Sequence, residues 1–339
     1  MFTHSAHINS RGDRRRTLAA LLLLAVAAAA ATASPGRSAA PRQTVRVWTI
    51  HYTAHNGLDR LAYVVLPSWY GPRNHPALPV VISPHGRGAT GRSNAAFWDN
   101  LPAVGVFAVI NPDGMGRLLK NFSYGYAGQI DDLARMPELA TKALPWLRFD
   151  PRRIYALGSS MGGQETLLLV ARHPRLLAGA AAMDSVTDLS RRYDQLRSVP
   201  CNERCLQMWH EPYGAVLQST MRREVGGTPK QSPRVYAARS GLSQARRIAD
   251  SGVPLQIWWS TQDRIVSDQP HQSGSLFGKL RRLNRYAPVS EYVGRWQHSK
   301  EMRAKALLPI ALIRFGLLPR GFKALPRSVR YQPAPRCGR

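Results

Sequence analysis

Five residues near the middle of the chain, Gly158-Ser159-Ser160-Met161-Gly162, constrain its fold more than any other stretch. They follow the apolar run Ile154-Tyr155-Ala156-Leu157 and precede a helical pattern that starts near Gln164. The order is strand, sharp turn, helix, with a serine at the apex. A turn this tight leaves almost no room for side chains two residues either side of the apex, and glycine tolerates the backbone conformations involved. The G-x-S-x-G pattern carries chemical meaning only in this setting. There the serine Oγ is lifted clear of a sheet edge, and the N–H of the next residue, Met161, points to where a tetrahedral oxyanion would form. An ordinary glycine-rich strand-to-helix turn would read the same locally. The rest of the chain must therefore supply a base, an acid and a second oxyanion donor.

The surrounding pattern is that of a layered α/β domain. Two alternating apolar runs, Val45–Thr53 and Leu61–Leu66, flank His55-Asn56-Gly57 and read as an antiparallel hairpin. Continuous apolar runs at Leu78–Ser83, Gly105–Asn111, Ile154–Leu157, Ala178–Met183, Leu255–Ser260 and Val289–Val293 read as buried strands. Helical patterns separate them around Asn94–Leu101, Asp131–Leu147, Gln164–His173 and Leu276–Leu283, and a last one covers Glu301–Leu317. Strands alternating with helices imply a mostly parallel sheet covered on both faces, with sites at the carboxyl ends of the strands. Residues 185–250 break the rhythm; they are polar, basic and partly helical, and read as a cap inserted after the sixth strand.

Candidate catalytic groups fall at those strand ends. Of ten histidines, His298 follows the strand Val289–Val293 through a loop able to reach back over the sheet, which suits a general base near neutrality. His173 reads as structural, and His85 as a residue that shapes its own loop. Asp263, just past Leu255–Ser260, is the expected acid, with Asp184 at the preceding strand end as its rival and Asp268 as a weaker one. Pro84-His85-Gly86-Arg87-Gly88 follows the third strand, where the N–H of Arg87 or of Gly86 would complete an oxyanion hole with Met161.

With those residues in hand, the segment from Val45 to Leu317 resembles the α/β-hydrolase superfamily. The His-Gly loop, the Gly-Ser-Ser-Met-Gly-Gly elbow and the late Asp and His are similar to those of secreted bacterial esterases and of prolyl-oligopeptidase-like (S9-type) serine peptidases. The resemblance implies Ser160 as nucleophile, Asp263 as acid, His298 as base and a two-step acyl-enzyme mechanism without cofactor. The β-propeller of typical prolyl oligopeptidases has no counterpart before Val45, which favours ester substrates. A peptidase, an acyltransferase acting at the cell envelope and a catalytically silent binding protein are the competing readings.

Residues 1–33 read as a secretion signal: Arg14-Arg15-Arg16, an apolar run from Leu18 to Ala31, and an Ala31-Thr32-Ala33 cleavage site. Residues 34–44 read as a linker and 318–339 as a basic tail. The net charge of +27 comes from 40 arginines and 7 lysines against 20 acidic residues. The arginine pairs are dispersed and no recognition motif accompanies them, so nucleic acid is not an expected partner. An anionic cell-envelope surface or a small or polymeric ester substrate suits such a charge better, in an extracellular or envelope-associated protein. Cys201 and Cys205 could close a small disulfide loop, and no cluster of cysteine and histidine suggests a metal site. In the cap, Trp209 and Tyr213 are candidates for the pocket wall, as are Trp98, Tyr124 and Tyr126 outside it.

Overall fold

The computed structural model describes residues 43–199, 213–299 and 307–335. The putting-together starts with a hairpin. β1 (Val45–Thr53) and β2 (Asp59–Pro67) pair antiparallel in one unbroken register, from Val45 opposite Pro67 to Thr53 opposite Asp59. Gly57, at φ 80°, supplies the left-handed residue the connecting turn needs. β2 then pairs antiparallel with β4 (Ala108–Pro112). From there the sheet is parallel. It runs through β3 (Leu78–Ile82), β5 (Phe149–Ser159), β6 (Gly179–Met183), β7 (Leu255–Ser260) and β8 (Val289–Gly294). The order across the sheet is β1-β2-β4-β3-β5-β6-β7-β8-β9.

The ninth strand corrects the expectation of a plain basic tail after residue 317. β9 (Arg330–Gln332) pairs antiparallel with β8 and closes that edge. Tyr331 in β9 stacks on Tyr292 in β8, which stacks in turn on Trp258 in β7.

Every residue of β3, β4, β6, β7 and β8 is buried, as a parallel sheet covered on both faces requires. The period of two sorts their side chains. Val80 and Ile82 join the core on one face, under α3 (Ala127–Ala143), α4 (Met161–Arg172) and α9 (Ser273–Leu283). Val81 joins the other core, with Trp98, Phe107 and α10 (Leu308–Arg314). The single helix expected near Asn94–Leu101 is instead two short ones, α1 (Gly91–Ala95) and α2 (Leu101–Gly105), joined through a 3₁₀ turn at Ala96–Trp98.

The insertion after β6 holds α5 (Leu189–Gln195), α6 (Tyr213–Val225) and α7 (Pro233–Ala238). These share a small core in which Tyr193, Leu196, Leu217, Met221 and Tyr236 meet Tyr124 and Val266 of the main domain. The last helix of the expected cap, α8 (Ala245–Ala249), belongs to the main domain. Its Ala245, Ile248 and Ala249 are buried in the same core as α4 and α9. The proposed leader (1–33) and most of the linker, Cys201, Cys205, Trp209 and Cys337 lie outside the described residues, as does the side chain of Tyr213.

Candidate functional site

Ser160 sits between β5 and α4 with φ 59° and ψ −122°, a conformation costly for a residue with a side chain. Close packing holds it there. Its own N–H donates to Met183 O at the end of β6, 2.9 Å away. A Cβ on Gly158 would stand 2.4 Å from Gly162 O, one on Gly162 would stand 2.3 Å from Pro84 O, and one on Gly163 would stand 2.1 Å from Ser185 Oγ. Gly158 and Gly162 are therefore required by contact between backbones and Gly163 by contact with a serine hydroxyl, which fixes the apex against both neighbouring strand ends. Met161 opens α4, and its N–H is one of the first four that a helix leaves without an internal acceptor.

His298 and Asp263 form a direct pair, His298 Nδ1 to Asp263 Oδ2 at 2.7 Å. The carboxylate is wholly buried and the imidazole is 14% exposed. Asp263 is held by its own loop: Oδ1 accepts from the N–H groups of Ile265 and Val266, and Oδ2 also accepts from Gln269 Nε2 at 3.3 Å. Its lone pairs are thus fully used, and the imidazole faces it with Nδ1, leaving Nε2 for the cavity. Ser160, Met161, Gly86, Arg87 and His298 all line one cavity of about 260 Å³.

The rival acids have other tasks. Asp268 is bound by Arg191 and His271 on the surface, and the hydrogen bonds from these two residues help hold its carboxyl below the ordinary carboxylate range despite the opposing effect of burial. Asp184 is completely buried at φ 44° and grips the histidine loop from behind. Its Oδ2 accepts from Trp296 Nε1 at 2.9 Å and from the N–H of Ser299 at 3.1 Å, and its Oδ1 accepts from the N–H of Ser260. Trp296 and Ser299 bracket His298 in sequence. Ser299 Oγ also meets Ser159 Oγ at 2.6 Å, tying the histidine loop to the residue before the apex serine. Asp184, Asp263 and His298 each bring a potential ligand atom within 4.8 Å of the others. The donors already gathered on Asp263 occupy the lone pairs that a cation would need.

The loop after β3 is organised by His85, which is 1% exposed. The N–H of Gly114 donates to His85 Nε2 at 2.6 Å, so Nε2 is an acceptor and the ring proton lies on Nδ1. Nδ1–H then donates to Gly86 O at 2.7 Å. Burial lowers the His85 pKa, in keeping with a neutral ring. With the Gly86 carbonyl turned to His85, the N–H across that trans peptide, Arg87 N–H, points the opposite way. The loop lies against the elbow: a Cβ on Gly86 would stand 3.8 Å from Ser160 Cβ.

Of the aromatic residues considered, Tyr124 lines the cavity, at φ 45°. Glu165, fully buried on α4, supports its loop by accepting from Ser123 Oγ. Burial pushes the Glu165 carboxyl up to about 7. Trp98 is fully buried in the core, donating to Ser83 Oγ, and Tyr126 packs against His55 and under the Arg239 guanidinium; neither borders the cavity. His173 bonds Asp131 at the end of α4, away from the site. Further walls include Val186, Leu189, Leu196, Leu217 and Met221, residues that the sequence pattern placed in the cap without marking them as pocket residues, and Phe97, Ile265 and Val266 from the main domain.

Sheet order, elbow position and the acid and histidine after β7 and β8 decide the architecture. The chain has the α/β-hydrolase fold. Solved structures of this fold superpose on it across about four fifths of its length. An acylaminoacyl peptidase of Pyrococcus horikoshii matches with TM-score 0.60 and 15% identity over 83% of this chain and 44% of its own. A fluorophosphonate-binding serine hydrolase of Staphylococcus aureus matches with TM-score 0.56 and 14% identity over 81% of this chain and 100% of its own. An esterase of Pyrococcus furiosus matches with TM-score 0.52 and 13% identity over 81% and 89%. The chain thus spans less than half of the peptidase it resembles and nearly all of the other two. No family model and no curated protein matches its sequence.

Proposed function

We propose that this protein is a serine hydrolase that cleaves carboxylic esters through an acyl-enzyme on Ser160. The observation that carries the reading is the convergence on one cavity of the strained elbow serine, the His298 ring paired through Nδ1 with buried Asp263, and the Gly86–Arg87 peptide. Ser160 Oγ attacks the ester carbonyl carbon while His298 Nε2 takes its proton. Asp263 holds the ring in the Nδ1–H tautomer and stabilises the imidazolium. The carbonyl oxygen becomes an oxyanion held by the N–H groups of Met161 and Arg87, each such donor contributing roughly 3 kcal/mol of barrier lowering. The imidazolium then protonates the leaving alcohol. Water, deprotonated by the same ring, attacks the acyl-enzyme and releases the acid and the free serine.

The apolar walls from Val186, Leu189, Leu217 and Met221 suit an acyl chain, which supports the choice of ester. The likeness to an acylaminoacyl peptidase favours a second reading, amide cleavage with the same residues. The basic-apolar-small pattern of residues 1–33 supports export to the cell exterior or envelope; among the described residues no helix is long and apolar enough to cross a membrane. N-terminal sequencing of the protein recovered from its source tests the export reading: a start at Ser34 supports it, and an intact Met1 ends it.

The activity test is hydrolysis of p-nitrophenyl acetate, butyrate and octanoate beside a dipeptidyl p-nitroanilide, with the Ser160→Ala variant as control. Ester turnover that vanishes in the variant supports the reading. Preferential anilide cleavage moves it to a peptidase, and ester turnover unchanged in the variant overturns both.

A further inference from the structure

The positive charge of the chain is unevenly matched along the sheet. Towards the carboxyl ends of the strands, where the cavity lies, Arg191 pairs with Asp268 and Arg239 with Glu224. The opposite end is different. There α8 leads into β7 and α9 leads into β8, so both helices finish near the amino ends of those strands. Two hydrogen bonds hold the helix ends side by side. Arg246 Nη1 donates to Leu283 O at 3.3 Å, and Asn284 Nδ2 donates to Ala249 O at 3.1 Å. Residues 245–254 and 276–288 carry five arginines and one lysine against one acidic residue, Asp250. Arg246, Arg247, Arg282 and Arg285 are exposed, and Arg281 is half-buried. Each helix end adds about half a unit of negative charge, which offsets a small part of this.

The same surface presents an aromatic ring. Tyr286 is 52% exposed, with the Arg285 guanidinium 4.6 Å from the ring centre. A tyrosine of this kind sits well at the headgroup level of a membrane, its ring towards the apolar layer and its hydroxyl in water. An anionic leaflet attracts basic residues, and each one held near it raises partition by about fivefold. Arginines beside an exposed ring therefore match a bilayer, which offers an apolar layer beneath a charged one.

We propose that the surface formed by the ends of α8 and α9 docks on an anionic phospholipid bilayer. β7 is six residues long, so roughly 20 Å of sheet separates this surface from the strand ends that carry Ser160 and Asp263. The docked protein holds its cavity on the far side, open to water, and takes substrate from the aqueous phase. The inference stands on charge and position and does not rest on the esterase reading.

The test is co-sedimentation of the full chain with two kinds of vesicle, one of phosphatidylcholine and one of phosphatidylcholine and phosphatidylglycerol in equal parts. Residues 1–44 are common to every variant, so differences between variants report the folded domain. The wild type should bind the anionic vesicles and be released as salt rises. Arg247→Gln/Arg282→Gln/Arg285→Gln should lower the partition coefficient by about 100-fold, about fivefold for each charge. Arg222→Gln/Arg223→Gln/Arg234→Gln removes the same charge from exposed positions on α6 and α7 and should lower it by less than about threefold, since those positions lie beyond a screening length from the leaflet. Equal losses in the two triple variants overturn the proposal, because the net charge of the chain would then be the cause. Equal wild-type binding to the neutral vesicles overturns it too.

Two further readouts fix the partner and the orientation. Tyr286→Ser should weaken binding to the anionic vesicles and leave binding to soluble polyglutamate unchanged. Tighter wild-type binding to polyglutamate than to the vesicles would assign the surface to an anionic polymer and overturn the bilayer. With vesicles bound, backbone hydrogen exchange should slow in 281–288 and stay unchanged in 213–238. Slowing in 213–238 instead would put the cavity end on the bilayer and overturn the proposal. None of these readouts needs turnover, so a protein inactive on esters would still decide the question.

Discussion

The elbow and the cap face each other across one cavity and are held in place by different means. Around Ser160 the contacts are of backbone against backbone and, at Gly163, of backbone against a serine hydroxyl. Gly158 meets Gly162, Gly162 meets Pro84, and Gly163 meets Ser185, all at distances that exclude a Cβ. In the cap the contacts are between side chains and backbone donors. Glu224, at the end of α6 and wholly buried, accepts from the N–H groups of three successive residues of the main domain, Arg117, Leu118 and Leu119. It also pairs with buried Arg239 at 3.4 Å. Arg239 donates to Ser123 O, and its own carbonyl accepts from Gln164 Nε2 on α4. One anchor of the cap thus runs through a carboxylate to the helix that begins at the elbow, beside the Arg191–Asp268 ion pair and Gln272 Oε1, which accepts from the N–H groups of Thr187 and Asp188. A backbone-packed turn has little freedom to move, whereas a cap held through side chains can be loosened by a single substitution.

That difference can be broken from either side. The largest effect belongs to the proposed nucleophile: Ser160→Ala should lower kcat for p-nitrophenyl butyrate by roughly 10⁶-fold with no loss of melting temperature. Asp263→Asn, which disturbs the tautomer of His298 while leaving the fold intact, should cost on the order of 10⁴-fold in kcat. On the cap side, Glu224→Ala leaves Arg239 uncompensated and three N–H groups without their acceptor. It should destabilise the protein by roughly 3–5 kcal/mol in urea unfolding. Hydrogen exchange should then speed up in 213–238 before it does in 154–183. Equal acceleration in both would show that the two regions share one anchor.

Glu165, on the helix that begins at the elbow, accepts from Ser123, whose carbonyl accepts from Arg239, and its pH dependence sharpens the comparison. Its folded pKa is raised by burial from 4.5 to about 7, so the folded state binds the proton more tightly than the unfolded one. The resulting stability is fully present below pH 4.5 and is lost as the pH rises towards 7. The total is about 3 kcal/mol, the free energy of a shift of that size. Glu165→Gln should flatten that slope in urea titrations carried out from pH 4.5 to 8. The smallest effect expected is that of Asp184→Asn. Two of its three acceptor contacts hold the histidine loop and the third holds Ser260 at the end of β7. A loss of about 10- to 100-fold in kcat with KM nearly unchanged would fit the cost of misplacing a catalytic group. A change confined to KM would show that Asp184 shapes the pocket instead.

The elements differ in how much of them was legible. The parallel strands read directly from continuous apolar runs, and the elbow read from its glycines, because both signals are local. β9 did not: Arg330–Gln332 is short and basic, and only pairing with β8 makes it a strand. α8 was assigned to the cap because it is basic, but its three buried alanine and isoleucine side chains face α4 and α9. Trp98 looked like a rim residue from its place between strands, and instead fills the core beneath α1. For Asp263, Asp184 and Asp268 the sequence could offer only positions after strand ends. Which carboxylate meets His298 depends on loops that leave two different strands.

The sequence by itself therefore determined the α/β architecture, the strained turn at Ser160 and the short roster of acids and histidines, since each rests on the steric demands or periodicity of neighbouring residues. The tertiary structure alone decided which acid pairs with His298, that His85 turns the Gly86 peptide, that Glu224 moors the cap, and that Arg192 lines the cavity beside Ser160. Those outcomes depend on groups far apart in the chain, and a buried charge or donor finds its partner only when packing brings both to the same place.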